Sequence, residues 1–214
     1  RTSKHELTGY MTELTQTNQK EYFRPNFWPN TPDINPYHLQ GANEAQHIIR
    51  YALAATLSSN IGLYGPVYEF MVSEPVPGKE EYMNSEKYQI CHWDWNTDNK
   101  LIRLITKINA IRKQHEALQQ TNNIRFCDLH NEGMMAFYKW NQDRTSELLV
   151  VISLDPYYQQ SGSLRVPFES MNLTPGSELM LKDLVTDNTY TWNDEWNYVE
   201  LHPAMPFHIF QIFK

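Results

Sequence analysis

At 214 residues, 41% hydrophobic and 13% aromatic, the chain has enough apolar side chain for one large or two small globular domains and is not disordered. Its net charge of −7 is spread out with no lysine or arginine block, which argues against nucleic acid or an anionic membrane as main partner. No apolar run approaches the 18 residues that a membrane-spanning helix needs.

The two cysteines, Cys91 and Cys127, form no CxxC pair and no disulfide framework, and read as reduced thiols of a cytosolic protein. Cys91-His92 is followed by no second ligand pair at metal spacing, so no metal site is expected. The chain starts at Arg1 rather than Met and reads as a piece of something longer.

In chain order, Leu7, Tyr10, Met11 and Leu14 recur at i, i+3, i+4 and i+7, which predicts an amphipathic helix over Lys4–Leu14. The stretch from Glu21 to Ile34 reads as an aromatic strand running into a proline-locked turn that presents Asp33. Pro25, Pro29 and Pro32 fix φ and remove backbone donors, so neither a helix nor a central strand can continue there. Tyr22, Phe23, Phe27 and Trp28 set rings beside that carboxylate, a pairing that suits a sugar: ring faces stack on aromatics and carboxylates meet hydroxyls. The plainer alternative is a buried aromatic strand with Asp33 capping a turn.

Residues 43–58 carry a broad apolar helical face, and the short run Asn60–Tyr64 ends at Gly65-Pro66. Strand, helix, strand at this spacing is the rhythm of a parallel sheet or barrel. Residues 67–97 form a long irregular connection, rich in aromatics and read as a functional loop. Asp98 is the expected cap of a helix reaching about Leu118. Beyond Gln119 the chain changes to short β-rich runs, among them Met134–Trp140, Glu147–Leu154, Thr189–Trp192 and Phe207–Phe213, separated by turn residues such as Asn131-Glu132-Gly133. That pattern predicts an antiparallel sandwich over residues 120–214, with the boundary at 119–123.

Local motifs go further. Asn30-Thr31-Pro32-Asp33, Ala54-Ala55-Thr56-Leu57-Ser58, Tyr64-Gly65-Pro66, and Glu80-Glu81-Tyr82 followed by Ser85-Glu86-Lys87-Tyr88 resemble the α-1,4-glucan:maltose-1-phosphate maltosyltransferases of glycoside hydrolase family 13. The resemblance implies an α/β plus all-β architecture. Residues 1–119 would be the C-terminal part of a (β/α)8 TIM barrel, with its seventh and eighth strands, and residues 120–214 the antiparallel β-sandwich.

It further implies an enzyme that moves maltosyl units from maltose 1-phosphate onto α-1,4-glucans with retention, without a cofactor, as a cytoplasmic homodimer. Asp33 matches the family's third carboxylate, which stabilises the transition state. Lys87 and Tyr88 match its donor-binding pair; on their own, in an acidic stretch, they read as a solvated loop. The nucleophile and general acid belong to earlier barrel strands that this sequence does not contain, so the chain alone is expected to be inactive. Two other readings stand beside it: another α-amylase-family hydrolase or isomerase, and a non-catalytic carbohydrate-binding module, which rests on the sandwich rings Trp140, Tyr157, Tyr158, Tyr190, Trp192, Trp196 and Tyr198.

Overall fold

Capping chemistry opens each long helix of the computed structural model, which describes residues 1–86 and 89–214. Helix α1 (Lys4–Gln16) starts with a capping box. The Glu6 amide donates to the Ser3 hydroxyl at 3.2 Å, and the Ser3 amide donates back to the Glu6 carboxylate at 3.1 Å. Leu7, Met11 and Leu14 form its buried stripe.

The expected aromatic strand is mostly something else. Gln19–Tyr22 is a short helix, α2, closed by the Phe23 amide on the Gln19 carbonyl at 2.8 Å. Tyr22 and Phe23 are exposed, and only Asn26–Phe27 pairs as a strand, β1. Pro25 explains the break, since its fixed φ and missing donor end the helix before the ladder can start.

Helix α3 (Glu44–Leu57) is capped by Asn43, whose side chain accepts from the Gln46 amide at 2.9 Å. It leads to β2 (Asn60–Ile61), which pairs in parallel with β1 through Asn26 opposite Asn60 and Phe27 opposite Ile61. Almost every α3 side chain is buried, as expected of a helix covered on several sides.

Helix α4 (Lys100–Gln114) is capped by Asn99 through the Ile102 amide at 2.8 Å, not by Asp98, which pairs with Arg103 at 2.6 Å. A 3-10 turn over Glu116–Leu118 completes the run predicted to reach Leu118. From the last turn of α4, Arg112 donates to the carbonyls of Ala55, Ser58 and Ser59, satisfying groups that the end of α3 leaves open.

The remaining residues form β3 (Ile124–Phe126), β4 (Met134–Trp140), β5 (Glu147–Ser153), β6 (Gln160–Arg165), β7 (Leu179–Asp183), β8 (Thr189–Trp192), β9 (Trp196–Leu201) and β10 (Phe207–Phe213). Six of them make one antiparallel sheet in the order β3-β4-β5-β10-β7-β8, and β6 pairs with β9 in a separate ribbon.

Side-chain alternation divides the interior in two. Met135, Phe137, Leu148, Val150, Ile152, Phe207 and Ile209 join the helices in one core. Their neighbours Met134, Ala136, Tyr138, Leu149, Val151, Phe210 and Ile212 meet Leu164, Val199 and Leu201 of the ribbon in the other. Because both faces are covered, β4 and β5 read as continuous apolar runs rather than alternating ones.

Candidate functional site

Parallel strands send their C-terminal ends the same way, so the segments after β1 and β2 emerge on one side. Trp28 is the first residue beyond β1, and its indole lies over Gly62, the first beyond β2. A Cβ on Gly62 would sit 2.2 Å from that ring, so the close approach depends on glycine.

Asp33 follows six residues after Phe27, exposed, in a tight turn. The Thr31 and Ile34 amides each donate to the other residue's carbonyl at 3.2 Å, and the Ile34 amide also reaches the Thr31 hydroxyl at 3.0 Å. A buried asparagine fastens each side. Asn30 accepts from the Tyr64 amide at 3.1 Å and donates to the Tyr64 carbonyl at 3.1 Å and the Tyr82 hydroxyl at 2.9 Å. Asn35 donates its amide to the Glu80 carbonyl at 3.0 Å and its side chain to the Ser73 carbonyl at 2.8 Å.

The long connection after β2 has no helix or strand among its described residues, apart from one bridge between Pro75 and Tyr82. Turn-type backbone bonds, such as the Val76 amide on the Glu81 carbonyl at 2.8 Å, and side chains together organise it. Tyr68 is buried and donates its hydroxyl to the His47 carbonyl of α3 at 2.5 Å. Glu86 accepts from the Tyr64 hydroxyl at 3.1 Å and from the Trp93 indole N–H at 2.6 Å, while Trp93 stacks on Phe70 with centroids 5.3 Å apart. Burial, and then the Glu86 carboxylate, push the Tyr64 hydroxyl up to about 12.

Of the residues expected at the site, Asp33 therefore sits past the end of β1, whereas Lys87 and Tyr88 lie outside the described residues. Sequence reasoning gave no individual role to Asn30, Glu86 or Trp93. The available signal was position: Asn30 stands three residues before Asp33, and Glu86 directly precedes Lys87. No group of three or more histidine, cysteine, aspartate or glutamate side chains is arranged to hold a metal among the described residues. No helix there is long and apolar enough to cross a membrane. The sandwich rings divide: Trp192 is buried against Phe210, while Trp196 and Tyr198 face outward from β9, 38% and 64% exposed.

Comparison with known proteins bears on this arrangement. The family model described as "GLGE, C-terminal" matches residues 126–212. The chain is 47% identical to the α-1,4-glucan:maltose-1-phosphate maltosyltransferase of Chlorobaculum tepidum, over 99% of the chain and 33% of that protein. It is 46% identical to the one from Methylacidiphilum infernorum, over 99% of the chain and 32% of that protein. By sequence, the chain is similar along nearly its whole length to part of these maltosyltransferases.

It spans about a third of the length of the curated maltosyltransferases it matches. In structure it is similar to the α-amylase of Geobacillus thermoleovorans, with a TM-score of 0.69 over 99% of this chain and 44% of that one, at 12% identity. It is also similar to a maltogenic α-amylase of Thermotoga neapolitana, with a TM-score of 0.66 over 95% of this chain and 46% of that one, at 11% identity. The expected fold, a parallel strand pair with its helices as in the α-amylases, running into an antiparallel β-sandwich, is the one observed.

Proposed function

We propose that the chain is part of an enzyme that transfers maltosyl units from α-maltose 1-phosphate to the non-reducing end of α-1,4-glucans, with retention and release of phosphate. In this reading residues 1–119 close the catalytic barrel and residues 120–214 form the sandwich behind it. Asp33 stabilises the transition state: an anion beside the reacting sugar gains energy as the ring becomes oxocarbenium-like, and its hydrogen bonds strengthen as charge develops. Lys87 and Tyr88 hold the donor, one as a point charge with three donors and the other as a ring with a polar tip. No cofactor takes part. The enzyme works as a homodimer in α-glucan synthesis in a bacterial cytoplasm.

Retaining chemistry needs two carboxyl groups about 5–5.5 Å apart, one as nucleophile and one as acid. Both come from polypeptide outside these residues, so the chain by itself is inactive. The observation that carries the reading is the whole-length identity to the maltosyltransferases, together with an exposed Asp33 anchored beyond the C-terminal end of β1.

The test is phosphate release from maltose 1-phosphate with a glucan acceptor. The chain alone is compared with the full-length enzyme that contains it, with and without Asp33→Asn. Turnover is expected only from the full-length form, falling on the order of 10²-fold or more in the variant, the scale of removing a preorganised charge stabiliser. Turnover by the chain alone, or an unaffected Asp33→Asn, would sink the reading.

A second reading, a sugar-binding module, is favoured by exposed sandwich rings such as the pair Trp196 and Tyr198 on β9. It predicts that Trp196→Ala loses retention on an amylopectin gel while its melting temperature is kept.

A further inference from the structure

We infer that Glu86 is a positioning residue for the donor, clamping the loop that carries Lys87 and Tyr88 onto the frame that holds Asp33; this rests on the function proposed above. The argument starts from backbone. Between Gly62 and Asn99 the described residues form neither helix nor strand apart from the Pro75–Tyr82 bridge, flanked by the Met83 amide on the Glu74 carbonyl at 2.9 Å, and this bridge ends before Ser85. Past the end of such a bridge, side-chain bonds carry more of the positioning.

Glu86 makes two such bonds, to partners at opposite ends of the connection. Tyr64, three residues past β2, gives its hydroxyl at 3.1 Å, and Trp93, near the far end, gives its indole N–H at 2.6 Å. Both are hydrogen bonds to a carboxylate, the stronger kind. Neither donor is free to follow the loop. Trp93 lies flat on Phe70, with ring planes 16° apart. Tyr64 is fixed through both its amide and its carbonyl by Asn30, and Tyr82 packs edge-on against its ring.

The connection back to Asp33 is short. Asn30 begins the run Asn30-Thr31-Pro32-Asp33, so one residue sets the start of the Asp33 turn and the backbone of Tyr64. In the other direction, Glu86 directly precedes Lys87 in the sequence. The chain of contacts Asn30, Tyr64, Glu86 thus joins the loop after β1 to the loop after β2. Displacing a binding group by an ångström is costly in a site that works by orientation. The task assigned to Glu86 is structural support for binding, with no contact to sugar required.

The experiment measures steady-state phosphate release by the full-length enzyme against maltose 1-phosphate concentration, in the wild type, Glu86→Ala, Glu86→Gln and Tyr64→Phe. Glu86→Ala is expected to raise KM about tenfold, the equivalent of one hydrogen bond to a charged group, with kcat changed less than about threefold. Glu86→Gln should recover most of that loss. Its amide oxygen still accepts from Trp93, and its NH₂ can donate to the Tyr64 hydroxyl.

Tyr64→Phe should raise KM by itself and add little to Glu86→Ala, as expected for residues acting through one contact. If Glu86→Ala does not fold, Tyr64→Phe decides, since it removes a single hydroxyl. An unchanged KM in Glu86→Ala or, failing that, Tyr64→Phe overturns the inference. So does a Glu86→Gln as damaging in kcat as Glu86→Ala, which would mean direct contact with the reacting sugar. An inactive wild type overturns the proposed function and this role together; an active wild type with indifferent Glu86 and Tyr64 variants overturns this role alone.

Discussion

In the six-stranded sheet, backbone ladders join neighbouring strands, and apolar side chains cover both faces. In the connection from Gly62 to Asn99, turn-type backbone bonds are joined to the rest by polar side chains, among them Asn30, Asn35, Glu86 and Asn99, whose amide donates to the Glu69 carbonyl at 2.9 Å. A ladder spreads its energy over many equivalent bonds, so losing one matters little. A loop tied by single side chains concentrates its order in a handful of residues. The contrast places rigidity in the sandwich and adjustability at the end of the barrel, where loops carry function.

Core truncation in the sheet should have the largest effect. Phe137 is fully buried on the face that meets the helices, so Phe137→Ala is expected to cost about 3–5 kcal/mol, read from the urea midpoint by tryptophan fluorescence. A loss below about 1 kcal/mol would show that the sheet and helices do not share a tight core.

Asn30→Ala strips the partners from the Tyr64 amide and from part of the Tyr82 hydroxyl's environment. About 1–3 kcal/mol is expected, with limited proteolysis appearing first in the connection after β2 rather than in the sandwich. Cleavage that begins in the sandwich would reverse the contrast.

Gly62→Ala should be similar in energy and visible in spectroscopy. The new methyl must push the Trp28 ring aside, at a cost of about 1–3 kcal/mol, and shift tryptophan emission. Unchanged emission would mean that the ring does not rest there in solution.

A further effect concerns pH. Lys139 of β4 is fully buried and gives its ammonium to the Gln120 carbonyl at 2.7 Å. Burial, and secondarily Arg112, lower it to about 7 from 10.5. Between those values the unfolded chain holds a proton that the folded chain has released, so this group makes stability rise with pH from about 7 to about 10.5. Lys139→Met should flatten that rise in urea midpoints across the same range. A slope identical to the wild type would place the charge elsewhere.

The same contrast governs what the sequence could tell. β4, β8 and β10 run over the residues expected, because runs of apolar and aromatic residues bounded by turn residues reflect local preference and burial together. The helices were legible from their periodic apolar faces, although the cap of α4 fell to Asn99 rather than Asp98. Glu21-Tyr22-Phe23 misled: aromatic β-propensity pointed to a strand, but among the described residues no strand pairs with it, and propensity without pairing is weak.

At the candidate site, Asp33 could be singled out because prolines leave a local mark. The Glu86 contacts could not, since Tyr64 and Trp93 lie 22 residues before it and 7 after, and meet only in three dimensions. Ion pairs and side-chain bonds of that kind carry no periodicity.

The shared core has a consequence for how the molecule comes apart. The join at 119–123 marks a change of sequence character, yet Thr121 bonds the Ser59 amide at 3.0 Å and Asn123 bonds the Ala117 carbonyl at 2.8 Å. Phe137, Val150 and Ile209 remain pressed against the helices whether or not the chain between them is intact. A protease that nicks the join should therefore yield two polypeptides that migrate as one particle on a sizing column and part only in denaturant. A sandwich produced without its helices would present that apolar face to water and associate with its own copies.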